Sequence, residues 1–204
     1  IVARTIEWGG SNLNSQYVIV PRGHTEQSYT PDGMNGMTFT SRYGYVGFAV
    51  EQKDFVAEGL NEVGLSAGLF YFPNYGKYQD YDFTEKEKSI SDLQLVSWIL
   101  GKCKTVDEVK EAVKKVRIIN IDPRASTVHW RFTDTSDHQL VLEIINGVPE
   151  FYENKLGVLT NSPGFEWQLT NLNNYVNLFP GTAPAQHLGN IEFILFWCRK
   201  RLFR

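Results

Sequence analysis

An α+β fold is predicted for this 204-residue chain by three observations. Short Val-, Phe- and Tyr-rich segments, separated by turn residues, fill the first seventy positions. Helical periodicity then occupies two consecutive stretches, and strand-like segments return after them. Helices grouped together, rather than alternating with strands one by one, mark α+β layering.

The early strands are QYVIVP (16–21), YGYVGFAV (43–50), DFVAEG (54–59) and LSAGLFYF (65–72). TPDGMNG (30–36) and LNEVG (60–64) supply the turns. Such close spacing predicts antiparallel pairing, because a parallel crossover needs about a dozen residues or more. A helix is predicted from Ser89 to Leu100, with Ile90, Leu93, Val96 and Ile99/Leu100 facing inward. A second covers TVDEVKEAVKKV, where Val106, Val109, Ala112, Val113 and Val116 share one face. Thr105 and Glu108 form its capping box, and both helices should lie on one face of a sheet.

Strands resume at 127–134, 139–145, 148–153 and 156–160, with Asn146-Gly147 marking a type I′ hairpin. A last helix is predicted over 165–178, just after Pro163. Residues 1–3 read as the inside of a strand.

Composition narrows the function. The chain is 42% hydrophobic and carries a formal charge of −3, with basic residues scattered through its main body. Clustered positive charge for nucleic acid is missing there. Cys103 and Cys198, and the four histidines, have no metal-ligand spacing, so neither a metal nor a cofactor is expected. The end, IEFILFWCRKRLFR, differs in composition from everything before it. Its apolar run is far shorter than the roughly 20 residues that span a bilayer. A basic membrane-surface tail is the alternative, and a non-native ending over 191–204 is the expectation.

Three polar features stand apart. Arg4 and Glu7 lie in VARTIEW among apolar neighbours, Tyr71 ends AGLFYFP, and Asn161 ends LTNSP. An arginine in an apolar strand needs a partner, because an unpaired buried charge is costly. Asn and Tyr at strand ends can donate hydrogen bonds into a cleft, as an oxyanion requires. Each has a plainer reading. Arg4 and Glu7 can be solvated separately, Asn161 can cap the turn before Ser162-Pro163, and Tyr71 can be one more packed aromatic.

The ordered set ARTIEWG, GLNEVGLSAGLFYFP, STVHWRFTD and GVLTNSPGFEWQLTNLNNY resembles the choloylglycine hydrolase family over roughly residues 1–190. That family, within the N-terminal nucleophile hydrolases, includes conjugated bile salt hydrolases and penicillin V acylases. The resemblance implies an incomplete four-layer αββα sandwich in residues 1–190, and hydrolysis of a linear, non-peptide amide without a cofactor. An amino-terminal Cys would be both nucleophile and seat of the base. By position, Arg4 would favour the thiolate and Glu7 would hold the terminal amine, where many relatives have Asp. Asn161 would donate to the oxyanion, and Tyr71 would be a second polar group lining that hole, Tyr in the acylases and Asn in many bile salt hydrolases. Phe70, Phe72 and Tyr75 offer apolar and aromatic surface for an acyl or steroid body.

The departures matter. The nucleophile should precede Arg4 by about a dozen residues, yet the chain begins three before it. A further arginine of the family's C-terminal part is missing too. The expectation is therefore double: an amidase parent and an inactive 204-residue chain. A catalytically dead relative serving as a binding or structural module is the second hypothesis. The partner is expected to be a small amide, with neither nucleic acid nor membrane, and a homo-oligomer (a tetramer by resemblance) is implied. Compartment would be decided by residues upstream of Ile1.

Overall fold

The structure is a computed structural model that describes residues 1–7, 13–122, 126–175 and 186–193. Two compact units divide at Phe165/Glu166.

The first unit contains strands β1 (Gln16–Val20), β2 (Thr25–Gln27), β3 (Thr38–Thr40), β4 (Tyr45–Ala49), β5 (Val56–Asn61) and β6 (Ser66–Tyr71). They are followed by β7 (Ser89–Ser91), α1 (Leu95–Lys102), α2 (Val106–Val113), β8 (Arg117–Ile119), β9 (Val128–Thr133), β10 (Gln139–Ile145) and β11 (Val148–Glu153). One seven-stranded sheet runs β1-β4-β5-β6-β9-β10-β11. Every neighbouring pair in it is antiparallel, as the short connections predict.

Local chemistry sets the hairpins. Asn146 and Gly147 both have positive φ, 51° and 79°, as a type I′ turn demands. Between β9 and β10, Asp134 Oδ1 accepts the Ser136 N–H at 2.9 Å and its hydroxyl at 2.6 Å.

Alternation then sorts the side chains. Trp130 and Phe132 of β9 and Leu140 and Leu142 of β10 join one buried cluster with α1 and α2. Burying each is worth about 1.5–3 kcal/mol. His129, Arg131, Gln139 and Glu143 therefore point to the opposite face.

Close packing of α1 depends on Gly59, where an added Cβ would lie 2.5 Å from Leu100 Cδ1. The Asn61 carboxamide donates to the carbonyls of Leu100 (2.9 Å) and Cys103 (2.8 Å) at the end of that helix. Those carbonyls would otherwise lack partners. The predicted cap of α2 forms: Thr105 Oγ1 accepts the Glu108 N–H at 3.2 Å. Glu108 Oε2 reaches back to the Lys104 N–H at 2.7 Å, one residue before the cap.

Four predicted elements need correction. The helix predicted from Ser89 begins at Leu95, after β7, which pairs in parallel with β8, and a 3₁₀ turn at Asp92–Gln94. Ser91 diverts the backbone: its N–H donates to Ser28 Oγ at 2.8 Å, and its own Oγ accepts the Leu93 N–H at 3.2 Å. Serine commonly competes with helix in this way.

Residues 1–7 are irregular rather than a strand. Both edges of β6 are already taken, by β5 and β9, and Arg4 reaches it through its side chain. Residues 157–160 form a loop, not a strand. Asn154 Oδ1 accepts the Gly157 N–H at 3.0 Å, Gly157 takes φ 71°, and the chain turns off the sheet edge.

The second unit holds most of α3 (Phe165–Leu172) and a hairpin of β12 (Gln186–Leu188) with β13 (Ile191–Phe193). Helix α3 ends earlier than predicted, with a turn at 173–175. The rest of the predicted span, 176–178, and residues 194–204 of the tail lie outside the described residues. Among the described residues, no helix is long and apolar enough to cross a membrane.

Candidate active site

The face of the sheet opposite α1 and α2 carries a chain of charges. Arg4 Nη1 donates to the Leu69 carbonyl at 2.7 Å and the Ala57 carbonyl at 3.2 Å, and lies 3.5 Å from Glu58 Oε2. Its guanidinium stacks over the Phe70 ring, 4.3 Å from the centroid. The other Glu58 oxygen meets Arg131 Nη2, which also donates to Ser66 Oγ at 3.1 Å.

Glu58 and Arg131 belong to strands separated by β6, with Gly68 between them in register. An added Cβ at Gly68 would fall 2.1 Å from Glu58 Oε2, so glycine opens the passage by which the carboxylate crosses β6. Burial pushes the Glu58 carboxyl up from its ordinary value, while Arg131 and Arg4 pull it back. Burial lowers the Arg4 pKa and Glu58 opposes that; a guanidinium still stays charged.

Asn161 is brought directly to Tyr71. Its Oδ1 accepts the Tyr71 backbone N–H at 3.0 Å. An N–H can only donate, so this bond fixes which branch of the carboxamide is oxygen. Ser162 N–H donates to the Tyr71 carbonyl at 3.1 Å, and Ser162 Oγ to the Pro73 carbonyl at 2.9 Å. The Tyr71 phenol reaches sideways to Ser126 Oγ at 2.9 Å.

Arg4, Glu7, Phe70, Tyr71, Ser126 and Asn161 all line one cleft of about 940 Å³. Glu7 is exposed at its rim. The sequence thus nominates residues that share a cavity, but two of its three substrate-binding candidates lie elsewhere. Phe72 is fully buried and stacks on His129, ring centroids 4.3 Å apart. It supports the cleft from beneath because β6 ends there and its ring turns inward. Tyr75 is 49% exposed and stacks on Phe72 outside the lining.

Sequence reasoning missed Glu58, Arg131 and Ser126. The signal for Arg131 is a charge inside the apolar strand VHWRFT, the same argument that singles out Arg4. Cys103 follows α1, is 1% exposed, and burial pushes its thiol up to about 12. Among the described residues, no group of three His, Cys, Asp or Glu side chains could hold a metal.

Solved structures share this fold. A variant of the conjugated bile acid hydrolase of Clostridium perfringens superposes with a TM-score of 0.71 at 30% identity, covering 91% of this chain and 57% of that one. The penicillin V acylase of Agrobacterium tumefaciens gives 0.73 at 25% identity, covering 88% and 55%. These matches identify the fold as an αββα-type sandwich of the N-terminal nucleophile hydrolase kind.

In sequence, the bile salt hydrolase/transferase of Clostridium perfringens is 31% identical over 185 residues, 88% of this chain and 55% of that protein. The penicillin V acylase of Pectobacterium atrosepticum is 27% identical, over 91% and 52%. The model of the linear amide C–N hydrolases, choloylglycine hydrolase family, matches residues 1–197. The chain belongs to that family. It spans about half the length of the curated relatives it matches.

Proposed function

We propose that this chain supplies much of the active site of an amide hydrolase whose nucleophile is an amino-terminal Cys preceding Ile1. What supports the reading is the meeting of Arg4, Glu7, Tyr71 and Asn161 in one cleft, from segments distant in sequence. In the proposed mechanism Arg4 sits beside the sulfur and favours the thiolate. Glu7 holds the terminal amine, which carries the thiol's proton. The thiolate attacks the acyl carbon, and the carbonyl electrons move onto oxygen. Asn161 Nδ2 and the polar wall at Tyr71 stabilise that oxyanion. Collapse expels the amine, which leaves with the proton, and water then hydrolyses the thioester.

Conjugated bile salts, penicillin V and related N-acyl amides form the proposed substrate class, in keeping with the relatives' activities and with Phe70 on the cleft wall. On this reading the 204-residue chain alone is inactive, since Cys103 is buried and Cys198 lies in the atypical tail. The second reading, a catalytically silent binding or structural module, draws on Glu7 standing where many relatives carry Asp.

One experiment separates them. The protein is expressed from its complete reading frame and assayed against glycine- and taurine-conjugated bile salts, penicillin V and N-acyl-homoserine lactones. Turnover of one class, abolished by replacing the first Cys, is the expected result. A complete frame with no Cys to expose, or no turnover of any substrate, favours the module.

A further inference from the structure

Beneath the cleft, on the face of the sheet away from α1 and α2, His129 and Glu143 form a buried pair that the mechanism above does not use. Their side chains are 0% and 3% exposed. His129 Nδ1 lies 3.0 Å from Glu143 Oε1, and Nε2 lies 3.0 Å from the Thr160 carbonyl. The same Glu143 oxygen accepts the Phe165 N–H at 2.8 Å. The imidazole lies nearly parallel to Phe72, at 9°, and edge-on to Phe70. Both ends of the segment 160–165, which carries Asn161, are thus tied to one pair of side chains.

The hydrogens follow from the partners. A carbonyl only accepts, so Nε2 must carry a hydrogen. Nδ1 and Oε1 at 3.0 Å need one more between them, or two lone pairs would face each other. Two hydrogens over the pair make it neutral as a whole, which suits a site this deeply buried. The imidazole is therefore a rigid double-ended strut, braced by Glu143 below and Phe72 alongside.

We propose that His129 and Glu143 are positioning residues for the oxyanion donor: through the Thr160 carbonyl they hold the Asn161 carboxamide against the Tyr71 amide. The proposal rests on the amidase reading for its catalytic meaning, while its geometry is testable without catalysis.

The test is made on the 204-residue chain by NMR and hydrogen exchange, with no substrate present. In the unsubstituted chain the His129 nitrogen resonances should show Nε2 bearing a hydrogen; an unprotonated Nε2 overturns the proposal outright, whatever the variants do. His129→Gln places an amide near the Nε2 position and keeps a donor for Thr160. His129→Asn matches Nδ1 instead and loses it. Exchange of the Tyr71 amide, whose acceptor is Asn161 Oδ1, should speed up about tenfold in His129→Asn, the equivalent of one net hydrogen bond. It should return to within about threefold in His129→Gln, with the amides of Ala67 and Phe132 unmoved in both. Equal acceleration in both variants, or none in either, overturns the proposal.

In the complete enzyme, His129→Asn should lower kcat about tenfold with little change in KM, and His129→Gln should restore it. A complete enzyme with no turnover of any amide defeats the amidase reading and leaves the exchange result to decide the strut.

Discussion

Asn161 and Tyr71, ninety residues apart, are laced by a 3.0 Å bond from the Tyr71 N–H to the Asn161 side-chain oxygen. The return bond, from Ser162 N–H to the Tyr71 carbonyl, is 3.1 Å long. Nothing in this lacing uses the phenol, which turns to Ser126. Tyr71→Phe should therefore keep Asn161 in place. The expected cost is one exposed hydrogen bond, about 1 kcal/mol or less of stability by urea unfolding. Loss of the cooperative transition in that variant would contradict the assignment.

Cys103 should behave as a core residue. Burial, and to a lesser extent Glu108, pushes its thiol up to about 12. Alkylation at pH 8, mapped to this position by mass spectrometry, should be at least about a hundredfold slower in the native chain than in urea. Rapid native labelling would reopen it as a nucleophile.

Asp92 gives the fold a pH dependence of definite sign. Full burial pushes its carboxyl from an ordinary 3.8 up to about 7. Folding therefore favours the protonated form. Its contribution is fully present below about pH 4, is lost as pH rises towards 7, and stays lost above. Asp92→Asn keeps an acceptor for the Leu93 N–H, now 2.9 Å from Oδ1, and cannot ionise. The variant's advantage in urea should grow from near zero at pH 4 to at most roughly 4 kcal/mol at pH 8. A difference that does not change with pH would contradict this.

Glu58 bridges two guanidinium groups, so removing its charge should be expensive. Glu58→Gln is expected to cost about 3–5 kcal/mol, the usual effect of stranding a buried partner. Gly68→Ala should resemble it, because the new methyl drives the carboxylate out of the passage over β6. Adding Arg131→Met to Glu58→Gln should recover part of the loss. Denaturation of the four proteins measures all of these, and a neutral Gly68→Ala would refute the passage.

Much of this architecture was legible because it is local. Asn146-Gly147 dictates its hairpin, and Thr105 with Glu108 announces the start of α2. Residues 89–94 misled because Ile90 and Leu93 fit helical spacing, whereas β7 is held by distant partners, Ser28 and β8. The cleft was legible only as an ordered set of motifs. No spacing rule links Arg4 to Asn161, and the Glu58–Arg131 contact requires knowing that Gly68 lies between them. His129, read as an isolated histidine, became informative only when Glu143 and Thr160 were found at its two nitrogens.

The central claim is that the Asn161 carboxamide donates to the charge developing on the scissile carbonyl. Asn161→Asp tests it most directly, since a carboxylate still accepts the Tyr71 N–H but has no hydrogen to give. In the complete enzyme, kcat on its best amide should fall about 10²–10³-fold, the usual cost of losing one oxyanion donor. A kcat within about threefold of the unsubstituted enzyme would contradict the account.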